Sequence, residues 1–454
     1  MTTKQEEKMK EQETRILYDD MPYSMWAFPV YLNSHIVGTV GGTDITVCDV
    51  INAQQSLGNN IFLLAKKGSG KTQALIDNLR NRYNGKGIVF EGTKDFSVDD
   101  ILKSINLEKL RTAQSSDEVM ELAERVKYHF IGVDEITRFP EVVQTEVLRI
   151  MNGYVMHKGA QVYFGDGHCS GMVTGNMGNG YVATFALDDA LADRCHLFLN
   201  LDYWKPTDED MADVDMRTDI DPRVIQSPLQ DLSDKIVAIQ KILRARETAL
   251  EFTIIGRFLE RALDYCEKFP KAGNSKDNLG HSWPVICTKE SCALKDTICG
   301  RVKSVGERSN RAMKSLAKGL LYMAELKEPR LRDKIYKGTG TAAMDAGILA
   351  AKLVLPYAEV ISKQYLQSEG IHGSPNLAME EIGTQLEKEI KEQCYTTDKK
   401  GERAPGPLLT AIAFACKGQL KDYKYNEGKG KWKFVNATLQ KMNEEQKRKM
   451  EKEK

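Results

Sequence analysis

The chain lacks an excess of charge of either sign: 64 Lys and Arg stand against 64 Asp and Glu over 454 residues. No global field therefore draws the whole protein onto a polyanion or an anionic membrane, and any such contact must be regional. It also lacks a long apolar run. Two windows, 21–43 and 167–187, carry no Asp, Glu, Lys or Arg, but glycine, asparagine, serine and histidine interrupt both, and two prolines break the first. Neither reads as a membrane span. The opening MTTKQEEKMKEQETR has no apolar signal-peptide core, so a cytoplasmic protein is expected. Cysteine is scarce: nine, an odd number, scattered along the chain, which favours thiols over a disulfide framework. No internal repeat is visible. Apolar residues are not lacking: the hydrophobic set is 41% and there are 35 glycines. Together they make up about half of the chain, an ordinary share for a folded protein, so disorder throughout is excluded.

From Ile61 onward, short apolar runs alternate with helical patterns, the signature of an α/β fold with a parallel sheet. Strands are expected over 61–64, 87–91, 128–134, 171–174 and 196–201. Helices are expected between them, over 71–83, 98–105, 116–126, 140–151 and 188–193. The expected organisation is a charged flexible arm over 1–20, an α/β core over 21–205, an acidic linker over 206–223, a helical lid over 224–335 and a helical C-terminal region over 336–454.

The stretch IFLLAKKGSGKTQALIDNL joins an apolar strand to a loop and a helix, the setting that a phosphate-binding loop needs. Lys67, Gly68, Ser69, Gly70, Lys71, Thr72 and Gln73 are the candidate nucleotide-binding residues. Glycines let backbone N–H groups close around phosphate oxygens, and the helix N-terminus adds its positive end. Lys71 would reach the β- and γ-phosphates, and the Thr72 hydroxyl would ligate Mg²⁺, with ATP as the expected ligand. Ala65 stands where the motif has its first glycine, which is tolerable if φ stays negative there. The strand YHFIGVD ends in Asp134, which can join Thr72 at the Mg²⁺ shell, and Glu135 follows as the candidate base for the attacking water. A buried ion pair is the structural alternative for these two acids.

The run VDEITRFPEVVQTEVLRIMN resembles the second nucleotide motif of MoxR-like and dynein-related AAA+ ATPases, and GMVTGN their sensor-1 strand. ATFALDDALADRCHLFLNLDYWKP is similar to the segment that carries their arginine finger, and ERSNRAMKSLAKGLLYMAEL to their sensor-2 helix. The resemblance implies a P-loop core followed by a helical lid. It also implies catalytic roles for Glu135, for Asn176 as sensor 1, for Arg194 as the finger offered to a neighbouring subunit, and for Arg311 as sensor 2, with Arg308 its rival. It further implies a homo-oligomer, usually a hexamer, and a protein substrate or a von Willebrand factor A-type partner. Each residue has a plainer alternative: a turn residue for Asn176, a surface residue for the arginines.

Three weaker signals remain. The segment NGYVMHKGAQVYFGDGHCSG suggests a hairpin with Gly-Asp-Gly turn chemistry, and the resemblance makes Tyr154, His157 and Lys158 candidate substrate contacts. His281, Cys287, Cys292 and Cys299 could supply metal ligands, though the paired short spacing of a zinc knuckle is missing. From Tyr395 onward 15 Lys and Arg face 8 Asp and Glu, and KDYKYNEGKGKWKF interleaves base and aromatic. Such a tail could pair phosphates and stack bases, or simply be solvated, with 431–434 forming a short strand. Three functions are compatible: a ring ATPase that remodels a protein, a nucleic-acid motor or loader, and a slow nucleotide-gated scaffold.

Overall fold

A computed structural model describes residues 3–93, 124–157, 160–176, 195–217, 225–263, 297–332, 341–397, 403–422, 432 and 434–452. The chain divides into two units, one formed by 1–247 with 315–346 and the other by 248–314 with 347–454. The helix Glu307–Lys327 contributes its later turns to the first unit.

In the first unit, β1 (Ile36–Val40) and β2 (Thr43–Thr46) form an antiparallel hairpin turning on Gly41 and Gly42, both at positive φ. Next come β3 (Asn60–Leu64), β4 (Ile88–Glu91), β5 (Phe130–Asp134), the hairpin β6 (Tyr154–His157) and β7 (Ala160–Tyr163), β8 (Ser170–Gly175) and β9 (Leu197–Asn200). β4, β5, β8, β3 and β9 lie side by side in that order, every pair parallel. β3 and β8 are buried along their whole length, which is why both read as nearly unbroken small or apolar runs. The five strands coincide with the expected ones to within two residues at each end.

This order decides where the chemistry goes. β8 runs between β3 and β5, so the loops leaving the C-terminal ends of all three strands converge. The helix Lys71–Tyr83 starts directly from the loop after β3 and closes at Asn84, whose left-handed backbone lets the next amide, Gly85 N–H, bond Leu79 O at 2.9 Å.

Several expectations change. The N-terminal arm is a helix over Thr3–Thr14, and beyond it Leu17 and Tyr18 are buried. Tyr18 donates to the buried Glu325 carboxylate at 2.6 Å, and Arg246 grips both oxygens of that carboxylate. Within the acidic segment, Asp208–Asp215 is a helix. Thr207 and Asp210 form a reciprocal capping box, and the acids of the first turn of Asp208–Asp215 face the positive helix end. The Gly165–Gly167 turn follows the β6–β7 hairpin instead of closing it.

The second unit is mostly helical: Leu250–Arg257, Ile298–Arg301, Pro375–Cys394, Pro407–Cys416 and Phe434–Lys452, with a small hairpin of β10 (Tyr395–Thr397) and β11 (Arg403–Pro405). Of the short strand expected over 431–434, Phe434 begins a helix instead, while Lys431 and Lys433 lie outside the described residues. Trp432 is buried against Phe258 with ring centroids 5.0 Å apart and donates its indole N–H to Glu389 at 3.2 Å. This aromatic is committed to the core and has no face to offer a base.

Candidate nucleotide site

The loop after β3 takes its shape from two glycines. Gly68 and Gly70 hold φ of 82° and 78°, a left-handed backbone that side chains rarely adopt. The space beside Gly68 is open, whereas a Cβ on Gly70 would press the Tyr31 ring at 3.1 Å. Ala65 is buried and is not among the residues at positive φ, so its methyl fits where the motif usually has glycine. Lys71 curls back over the loop, donating to Ala65 O at 2.9 Å, Lys66 O at 2.6 Å and Ser69 Oγ at 3.2 Å. Burial lowers its pKa, against the opposing pull of Asp202, Asp134 and Glu135. The Gln73 side chain is committed elsewhere: its amide exchanges two hydrogen bonds with the Ile225 backbone and donates to Asp77. Its place among the nucleotide-binding residues therefore reduces to its backbone.

The second motif lies across from this loop. Thr72 Oγ1 is 3.1 and 3.0 Å from the two oxygens of Asp134. A hydroxyl and a carboxylate meeting at the mouth of a phosphate loop are hard oxygen donors, the set that suits Mg²⁺ held jointly with nucleotide phosphates. Among the described residues no cluster of three or more His, Cys, Asp or Glu could hold a metal by protein ligands alone. Glu135 follows in a left-handed conformation, φ 52° and ψ 51°, and its carboxylate lies 2.6 Å from Arg138 Nε. The neighbouring Gly92 packs so closely that a Cβ there would lie 2.2 Å from Glu135 O. Such a strained backbone persists only where its surroundings over-determine it. Asn176 leaves the end of β8 and is buried.

Sequence reading missed four contributors. Thr174, two residues before Asn176, donates to Asp134 and accepts from Glu135 N–H. Arg138 holds the Glu135 carboxylate. Asp202 accepts from Lys66 N–H at 3.0 Å, in a turn set by Asn200 at the end of β9. Asp77 accepts from Val30 N–H and Tyr31 N–H, drawing the 30–31 backbone against the helix that carries Lys71. Arg138 and Thr174 had a usable signal, their places inside the DEITR and GMVTGN runs.

Residues 60–195 match the AAA domain of the dynein-related subfamily. Over that span the chain carries a domain of the dynein-related AAA type. Two solved structures follow a similar course at low resemblance. One, from Cytophaga hutchinsonii, is described as a candidate ATPase. It is 13% identical with a TM-score of 0.45, over 74% of this chain and 88% of that one. The other, a full-length MCM homologue from Methanopyrus kandleri, is 13% identical with a TM-score of 0.39, over 77% and 61%. No curated protein matches the sequence.

The remaining candidate residues are placed unevenly. Tyr154 faces Tyr163 across the β6–β7 hairpin with ring centroids 5.9 Å apart, and Tyr163 is exposed. His157 closes β6, and nothing is described of its side chain; Lys158, Arg194, His281, Cys287 and Cys292 lie outside the described residues. Cys299 is half-buried in Ile298–Arg301. Arg311 is exposed and bonded to Glu307 one turn back, and Arg308, in the same turn, is exposed too. No described helix is long and apolar enough to cross a membrane.

Proposed function

We propose that this protein binds ATP with Mg²⁺ and hydrolyses it, and that it works as a MoxR-like ring ATPase coupling turnover to the remodelling or assembly of a protein partner. The convergence of the Thr72 hydroxyl on the Asp134 carboxylate, beside Lys71 and Glu135, carries the catalytic half of this reading. When bound, the cation supplies charge neutralisation at the β- and γ-phosphates. Gly68 and Gly70 shape the loop whose amides meet the phosphates, and Lys71 turns from its own loop carbonyls toward them. Glu135, once released from Arg138, takes a proton from the attacking water, while Asn176 orients that water through an amide that both donates and accepts. Arg194 acts in trans on a neighbour's γ-phosphate, and Arg311 or Arg308 in cis; a planar guanidinium suits both tasks. The family resemblance supports the hexamer and the protein partner, a von Willebrand factor A-type subunit among the candidates. The burial of Trp432 weighs against the nucleic-acid motor.

The decisive experiment compares the wild type with Glu135→Gln. Turnover is expected to fall about 10²-fold or more while ATP binding persists. Equal turnover in the two proteins would leave only the scaffold reading. Arg194→Ala subunits mixed with Glu135→Gln subunits should regain turnover if the finger acts in trans. Strong stimulation by DNA, lost steeply with salt, would favour the motor instead.

A further inference from the structure

Thr174 sits in β8, paired with Leu63 of β3 on one side and one residue past the Val133–Val173 pair with β5 on the other. Its side chain is fully buried. Thr174 Oγ1 lies 2.5 Å from Asp134 Oδ1 and 2.9 Å from Glu135 N. A backbone N–H can only donate and an ionised carboxylate can only accept. The single hydroxyl proton therefore goes to Asp134 and a lone pair receives Glu135 N–H. Thr72 approaches the same carboxylate more loosely, shared between both oxygens at 3.1 and 3.0 Å.

We propose that Thr174 is a positioning residue for the metal-nucleotide complex. By donating to Asp134 Oδ1 it would hold the carboxylate so that Oδ2 could serve a cation. By accepting from Glu135 N–H it fixes the start of the catalytic loop in the same act. The β-branched side chain has little rotamer freedom, and in a packed strand this makes the arrangement rigid before any ligand arrives. Thr72 remains free to exchange Asp134 for the cation. One hydroxyl thus couples Asp134, the candidate base Glu135 and the strand that leads to Asn176.

The inference rests on the ATPase reading above, and the test separates the two. ATP binding to the full-length chain is followed by displacement of a fluorescent ATP analogue while magnesium is titrated against EDTA, with steady-state turnover measured in parallel. Thr174→Val keeps the shape and removes the hydroxyl. It should raise the magnesium concentration for half-maximal ATP binding about tenfold or more, the scale of one hydrogen bond to a charged group. Metal-free ATP affinity should stay within about twofold, since no phosphate contact is lost. Thr174→Ser, which restores the hydroxyl, should return the magnesium requirement to within about threefold of wild type. If Thr174→Val does not fold, Thr174→Ala deletes the same hydroxyl and is read the same way. An unchanged magnesium requirement in the valine or alanine variant overturns the proposal and leaves the ATPase reading standing. An equal defect in Thr174→Ser also overturns it, because the hydroxyl would then not be the operative group. A wild type whose ATP binding ignores magnesium overturns both.

Discussion

The two edges of the five-stranded sheet hold similar residue types in opposite conditions. At the N-terminal edge, polar groups pair mainly with one another. His196 Nδ1 accepts from Asn60 N–H at 3.1 Å, the Asn60 amide donates to Met151 O at 2.7 Å, and Ser170 bridges Tyr83 and Gln55. Burial, with the Arg244 guanidinium nearby, pushes the His196 pKa down to about 4, so this imidazole is neutral at physiological pH. At the C-terminal edge the groups are held but not spent. Lys71 rests on carbonyls of its own loop, Glu135 is turned to Arg138, and Thr72 shares a hydroxyl between two oxygens. Satisfied groups build a fold. Groups with replaceable partners can trade them for a ligand, and in a parallel sheet the strand ends that open into loops are where such trades are sterically possible.

Four measurements can break or sharpen this contrast. Lys71→Ala should lower ATP turnover about 10²-fold or more with little change in unfolding midpoint, because the lysine's present partners are loop carbonyls. A large loss of stability with turnover retained would erase the distinction. The opposite edge should respond oppositely. His196→Ala leaves Asn60 N–H without its acceptor and should cost about 1–3 kcal/mol in denaturant unfolding, with ATP affinity unchanged. The third is a pH effect. Because the folded-state pKa of His196 lies below its unfolded value, the unfolded chain binds more protons. The histidine's contribution is then complete above about pH 6.5 and is lost as pH falls toward 4. The thermal midpoint should drop over that window, less steeply in His196→Gln; parallel profiles would show that this imidazole does not titrate as described. Smallest is Asp202→Asn. It removes a negative charge beside Lys66 and Lys71 while keeping an acceptor for Lys66 N–H. ATP affinity should rise by up to about threefold at low salt and converge with wild type at high salt.

The strands were legible because each is an apolar run bounded by glycine or charge, and β3 and β8, covered on both faces, stand out most. The phosphate loop was legible because its glycine and lysine spacing follows from local backbone geometry. The N-terminal segment was harder. Its charge pattern suggests a solvated arm, yet Leu17 and Tyr18 are buried, and Tyr18 reaches a glutamate 307 residues away. The acidic segment shows a related effect. Acids that look like a solvated loop also stabilise a helix start once Thr207 caps it. The basic tail suggested a stacking aromatic in Trp432, but whether a tryptophan faces solvent depends on which ring lies next to it, and here that ring is Phe258.

By itself, then, the sequence determined the α/β class and the strand, glycine loop and helix that follow one another from β3, since these depend on short-range periodicity and on residues within a few positions of one another. Only the tertiary structure decided which strand separates the two motifs. That one choice, β8 between β3 and β5, brings Thr174 into contact with acids 39 and 40 residues earlier in the chain. Parallel pairing is set by packing of faces across long crossovers, and no local pattern encodes which neighbour a buried hydroxyl will meet.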